Sequence, residues 1–404
     1  MAAIPAATAS LIASFHLASK AQTAIADNCT APLVGAKLSD APPLLVHDLL
    51  GQPLYYDFFA FKGEVPAGRL RVSADSDLGV ALHSLEPIQA VPDLGAASNQ
   101  AWSDLAGMQR VDERVDELPV CYSDHKLGLR LRYKQSGNPM TAVYDVYERR
   151  LVAWFPGDAP EVPEGGWEPD EQSEGVGVFS ILQSLPEAGD PTPATATEVD
   201  ATVRAMQEAL GQSRSWKALS PARADEIGPE EFQAAQQYFA DHPPVVSASM
   251  LPIDIVGQQT PVFCAVASAN MILKYYGFNY TQDEIAQAMH PDSSGCTNPK
   301  QVAAYAALSN GRLAASYDTS PTFDEAFKVC NEYAPMKSGV PGHARVCRGW
   351  KKYTYVSPAD GQVQKEEYWY LINDPWPVGQ GRVRWENSSS PQYRNFIYVR
   401  RVGP

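Results

Sequence analysis

No CxxC pair occurs anywhere in the chain, and its six cysteines, scattered through 404 residues, are too few for a disulfide scaffold. That excludes the usual zinc-ribbon chemistry; no metal and no cofactor is expected. No apolar stretch approaches the roughly 20 residues that a membrane-spanning helix needs. Lys and Arg never gather into a block, and the net charge of -15 argues against nucleic acid or an anionic membrane as the main partner. The N-terminus lacks the basic start of a secretory signal, although its mildly apolar run ends in an A-x-A step at Ala24 and Ala26. A helix built around Leu11, Ile12, Phe15 and Leu17 accounts for the same residues. Sequons at Asn28, Asn279 and Asn387 leave location open, with the balance on secretion over the cytoplasm.

What is present is an ordinary globular composition, 45% apolar and 20% charged, in a chain long enough for two or three domains. After the N-terminal segment (1–39), residues 40–155 alternate with period two through LLVHDL, PLYYDFFAF, GRLRVSAD, LGLRLRY and TAVYDVYE, interrupted by one helix candidate, NQAWSDLAGMQRVDERV. This predicts a strand-rich α+β domain. Residues 156–244 are dense in Pro, Gly and Glu, the composition of a linker, with connecting helices near 198–219 and 229–241. From 245 to 404 helices come first and strands last. Thr281 with Glu284 has capping-box spacing, Asn298 and Pro299 open a helix that Gly311 can close, and Ser320 is the expected cap of TFDEAFKVCNEY. The strands are HARVCRGW, EYWYLIND, GRVRWEN and NFIYVR, whereas EYAPMKSGVPG has no clear apolar strand. This second unit is also α+β.

The residues that carry chemistry lie in this last region. In GQQTPVFCAVASANMILKYYG, Cys264 opens a helical run, where unpaired N–H groups and roughly half a positive charge favour thiolate over thiol. A cysteine nucleophile needs a base, a group that orients the base, and donors for the oxyanion. Only His290 and His343 follow Cys264. His290 ends a helix before a proline, a poor place for a rigid base, while His343 begins a strand whose alternation puts His343, Arg345 and Cys347 on one face and Ala344 and Val346 on the other. The orienter is sought at the end of YWYLINDPWP, which offers Asp374 and Asn373. A side-chain amide from either Gln258 or Gln259 can join the Cys264 backbone N–H in stabilising the oxyanion. Of the remaining cysteines, Cys29 with Cys121, and two of Cys296, Cys330 and Cys347, are candidates for pairing. Tyr275, Tyr276 and Trp376 read as core or rim packing.

Taken in order, GQQTPVFCAVASANMILKYYG, PGHARVCRGW and YLINDPWP resemble the papain-like cysteine peptidases, nearest to the bacteriocin-processing (double-glycine) peptidase-like branch, over roughly residues 250–385. The resemblance implies a papain-like C-terminal domain, a nucleophile helix packed on an antiparallel sheet. It also implies hydrolysis of a peptide or protein substrate through a thioester, with Cys264 as nucleophile, His343 as general base, Asp374 as orienter and Gln258, with Gln259 as the fallback, in the oxyanion hole. Ala265 stands where members of this branch usually carry Gly or Trp. Two other functions fit the same residues: an acyltransferase or transglutaminase-like enzyme, in which an amine resolves the thioester, and a papain-fold binding protein without activity. The strand-rich segment weakly resembles the prosegments of some secreted cysteine peptidases. On that reading residues 1 to about 200 contact and restrain the peptidase domain.

Overall fold

The computed structural model describes residues 3–21, 27, 29–75, 78, 80–123, 125–157, 241, 243–291, 295–340, 343–356, 360–390 and 394–403. Most of the 156–244 segment, with both of its expected helices, lies outside the described residues.

Helix α1 (Ala6–Ala21) is followed by strands β1 (Lys37–Leu38), β2 (Leu44–His47), β3 (Pro53–Lys62), β4 (Val65–Ser73) and β5 (Leu82–Pro87). Helix α2 (Leu94–Met108) then leads into a meander of β6 (Glu113–Ser123), β7 (Lys126–Gln135), β8 (Asn138–Asp145) and β9 (Arg150–Pro156). The hairpin turns fall where the sequence breaks: Gly63, Gly137 and Arg149 all have positive φ, as tight turns between twisted strands demand. Helix α2 is shifted from its expected span. Asp93 accepts from the Ala96 N–H and starts the helix early, while Glu113 onward is drawn into the ladder with β7, so Glu113, Arg114 and Val115 are strand and not helix.

The C-terminal half begins with β10 (Val245–Met250) and then three helices: α3 (Cys264–Tyr275), α4 (Gln282–Met289) and α5 (Asn298–Leu308). Strand β11 (Leu313–Asp318), helix α6 (Phe323–Asn331) and strands β12 (Met336–Val340), β13 (His343–Val356), β14 (Val363–Asp374), β15 (Arg382–Asn387) and β16 (Asn395–Arg401) complete it. Thr281 and Glu284 form the capping box of α4 as their spacing predicts. For α6 the cap is Thr322, paired with Glu325, and not Ser320, because only Thr322 is three residues before a glutamate that can return the bond. Strand β12 stands where no apolar strand was expected. It is buried throughout despite Lys337 and Ser338, since Lys337 Nζ donates to Asn298 and Asn395, and Ser338 Oγ accepts from Arg345. Polar partners replace apolar patterning there, which is why periodicity missed it.

The described strands join in one sheet, ordered β11-β16-β12-β13-β14-β15-β5-β4-β3-β2-β6-β7-β8-β9, with β1 on β3 and β10 on β13. The two halves meet at β5 and β15, where Leu85 pairs with Trp385 and Ser84 with Glu386. A single apolar core crosses this seam: Ile12, Phe15 and Leu17 of α1 and Phe58, Leu70 and Leu85 of the first strands pack with Tyr353, Tyr355, Trp369, Leu371 and Trp385. Lys20 reaches across to Glu367 and Asp27 to Lys351, both as buried ion pairs. A second core holds α3 against Ala344 and Val346 of β13. None of the six cysteines is disulfide-bonded, so neither candidate pairing is present. No helix among the described residues is long and apolar enough to cross a membrane.

Candidate active site

Helix α3 is rich in good helix formers and is buried from Cys264 to Leu273, a central helix rather than a surface one. Its first residue is Cys264. Phe263 precedes it as the N-cap residue, and its side chain makes no capping hydrogen bond. Gly277, at φ +87°, ends the segment and Phe278 N–H returns to Leu273 O. Cys264 is buried in the core that also contains Ala344 and Val346, the two residues of β13 that flank Arg345 on the opposite face. Helix α3 therefore packs directly on the strand that His343 begins.

His343 is fully buried, and its Nε2 lies 2.6 Å from Asp374 Oδ1. Asp374 is a carboxylate that can only accept, so the ring proton sits on Nε2 and Nδ1 presents a lone pair. Nδ1 is buried and has no hydrogen-bond partner among the described residues. Asp374 Oδ1 also accepts from the Trp376 N–H at 2.9 Å, and Oδ2 from Arg384 Nη1 at 2.7 Å. Burial pushes the Asp374 carboxyl up, but His343 and Arg384 more than offset this and hold it far below the usual carboxylate range. For His343, burial lowers the pKa; Asp374 raises it in part, while Lys126 and Arg345 add to the lowering. The imidazole is held neutral, the form a general base requires.

Asp374 and Asn373 point to opposite faces of β14, as alternation demands. Asn373 lies on the α3 side, donating to Ile253 O at 3.0 Å and accepting from Arg348 Nε at 2.7 Å. Both of its polar ends are engaged away from His343, so Asp374 is the residue that meets the base. The two glutamines are also distinguished. Gln258 is fully buried, its amide donating to Thr260 O at 2.8 Å, whereas Gln259 is exposed and contributes its backbone N–H to Gln282. Both backbone groups of Gln258 are tied to the turn after Asp374, through Pro375 O at 2.9 Å and Gly379 N–H at 2.8 Å. That approach needs Gly257, where a Cβ would lie 2.4 Å from Gln380 N. His290 takes a left-handed conformation at the end of α4 and is exposed.

Sequence reasoning missed the charged layer behind the dyad. Arg384 Nε donates to Glu386 Oε1 at 2.6 Å, and Arg345 Nη1 reaches the same oxygen at 2.5 Å. From the N-terminal half, His125 Nε2 approaches it at 3.6 Å, and Arg69 pairs with both Asp57 and Glu86. The alternation of charge in GRVRWEN was the available signal. A cavity of about 560 Å³ lined by Tyr275, Tyr276, Tyr333, Arg400 and Arg401 opens at the far end of α3, away from Cys264. Among the described residues no cluster of three or more His, Cys, Asp or Glu side chains could hold a metal ion.

His343 and Asp374 thus form a buried, hydrogen-bonded pair, and the strand that His343 begins packs against the helix that Cys264 opens. Residues 250–402 match the Peptidase_C39 like family. This matched region takes in α3 to β16 and every candidate site residue. Among solved structures, the chain is similar to the crystal structure of a double glycine motif protease from an AMS/PCAT transporter in complex with the leader peptide, at 15% identity and a TM-score of 0.28, covering 38% of this chain and 95% of that one. No curated protein matches the chain.

Proposed function

We propose that the protein is a cysteine peptidase in which Cys264 attacks the carbonyl carbon of a peptide bond. The Cys264 thiol passes its proton to His343 Nδ1 and the sulfur bonds to carbon, giving a tetrahedral oxyanion. The Cys264 backbone N–H and the Gln258 side-chain amide are its donors; one such donor is worth about 3 kcal/mol in other hydrolases. Collapse breaks the C–N bond, the leaving amine takes the proton back from His343, and a thioester remains. Water, deprotonated by His343, then attacks the thioester, releasing the acid and restoring the thiol. Asp374 keeps the ring in the tautomer with Nε2–H and steadies the imidazolium. The observation that carries this reading is the buried His343–Asp374 bond within the Peptidase_C39-like segment, leaving Nδ1 as the acceptor.

The test is alkylation of the full-length protein by iodoacetamide at pH 6, followed by peptide mapping. An activated Cys264 is labelled faster than the other five cysteines, and His343→Ala removes that advantage. Labelling of Cys264 at the rate of an ordinary thiol, indifferent to His343, overturns the assignment.

A further inference from the structure

The segment from Asp374 to Arg382 joins the candidate orienter to the backbone that fixes Gln258, and the N-terminal half grips it from outside. Four contacts converge there. The Tyr147 ring, in the turn between β8 and β9, meets the Trp376 ring edge-on at 5.3 Å. The Arg382 guanidinium stacks on Tyr147 at 3.7 Å and lies 4.8 Å from the Trp376 ring centre. The Val378 N–H is directed at Glu148 Oε1 at 3.4 Å. Lys126, at the start of β7, places its ammonium 5.8 Å from the Trp376 ring. The same segment supplies the Trp376 N–H to Asp374 and the Pro375 and Gly379 groups to Gln258. Without the N-terminal half, its outer side would lose an aromatic partner, a cation and a hydrogen-bond acceptor together.

We infer that Tyr147 and Glu148 are positioning residues for the peptidase site, holding the 374–382 segment so that Asp374 and Gln258 keep their places relative to His343 and Cys264. This rests on the peptidase reading. Neither residue touches the reacting atoms; each acts through Trp376, Arg382 or Val378. A displacement of about 1 Å in such a constellation costs up to about a hundredfold in rate. The N-terminal half is on this account a component of the site.

The experiment uses the full chain and the alkylation rate of Cys264, which needs no knowledge of the substrate. His343→Ala sets the rate without the base. Tyr147→Ala is expected to slow labelling about tenfold, and Tyr147→Phe, which keeps the ring between Arg382 and Trp376, to restore it to within about twofold. Glu148→Ala and Glu148→Gln form a second pair, with Gln keeping the acceptor for Val378; the same pattern is expected. Rescue by the conservative variants, with the thermal midpoint of each Ala variant close to that of the parent, supports positioning. If His343→Ala slows labelling but Tyr147→Ala and Glu148→Ala do not, the inference is overturned and the peptidase site stands. If His343→Ala has no effect, both fall together.

Discussion

Arg384 binds Asp374 on the carboxylate oxygen that does not face His343, at 2.7 Å, with both side chains almost wholly buried. The Asp374 carboxylate is thus held between a fixed cation and the imidazole. Removing one member of such a buried pair leaves the other charge without compensation, which typically costs about 3–5 kcal/mol. Arg384→Ala should therefore lower the free energy of unfolding, read from denaturant titration, by an amount in that range, through both Asp374 and Glu386, because the same guanidinium serves the two acids. A loss below about 1 kcal/mol would show that water or relaxation satisfies the acids instead.

The neighbours Asp374 and Asn373 should separate by readout. Asp374→Ala removes the partner of the base and is expected to lower kcat by about 10²–10⁴-fold with little change in KM. Asn373→Ala breaks buried bonds to Ile253 and Arg348, so it should cost about 1–3 kcal/mol of stability while leaving kcat within severalfold. A larger loss of kcat at Asn373 would transfer the orienting role.

The pH dependence follows from the direction of the shift on His343. Burial lowers its pKa beneath the ordinary 6.5, so the folded protein keeps a neutral base to lower pH than a free imidazole would. The acidic limb of kcat/KM is expected below pH 6.5, and Asp374→Ala, which removes the favourable charge, should move it further down. Stability has the matching sign. Below pH 6.5 the unfolded chain takes up a proton that folded His343 refuses, so stability falls as pH drops from there. Asp374, depressed in the fold, contributes stability that is present above the ordinary carboxylate pKa and is lost only as pH falls towards its folded value. An acidic limb at or above pH 6.5 would be incompatible with a desolvated base.

How far the site was legible depended on whether its residues follow local rules. Cys264 at a helix start and His343 at a strand start were both set by local patterning, and the Pro after Asp374 marked the end of its strand. The residues alone leave Asp374 and Asn373 open and the resemblance implies Asp374; that Asp374 is the one bonded to His343 follows from the register of β14 against β13, where Asn373 pairs with Val346 on the helix side. Strand β12 and the layer of Arg345, Arg384 and Glu386 were invisible to periodicity because their interior is polar on both sides of the question: charged residues usually signal solvent, and here they satisfy one another. The seam between the halves rests on a pairing of β5 with β15 about 300 residues apart in sequence, as Leu85 opposite Trp385 shows, and no local signal encodes such a contact.

That seam decides what a shortened protein should do. If residues 1 to about 200 merely restrained the peptidase, a fragment of residues 245–404 would be folded and more active than the whole. The shared core argues for another outcome. Tyr353, Tyr355, Trp369, Leu371 and Trp385 pack against α1 and the first strands, and Lys351 and Glu367 find their ionic partners in Asp27 and Lys20. Exposing a large apolar side chain costs about 1.5–3 kcal/mol, and stripping a buried ion of its partner costs about 3–5 kcal/mol. Together these losses are comparable to the about 5–15 kcal/mol that stabilises a typical domain. The fragment is expected to be insoluble or to lack fixed tertiary packing, with weak near-ultraviolet circular dichroism from its tryptophans. Co-expression with residues 1–157 as a separate chain should restore both solubility and rapid alkylation of Cys264, because the β5–β15 pairing needs no covalent link. A fragment that is soluble, sharply folded and fully reactive alone would show instead that the N-terminal half is dispensable to the site.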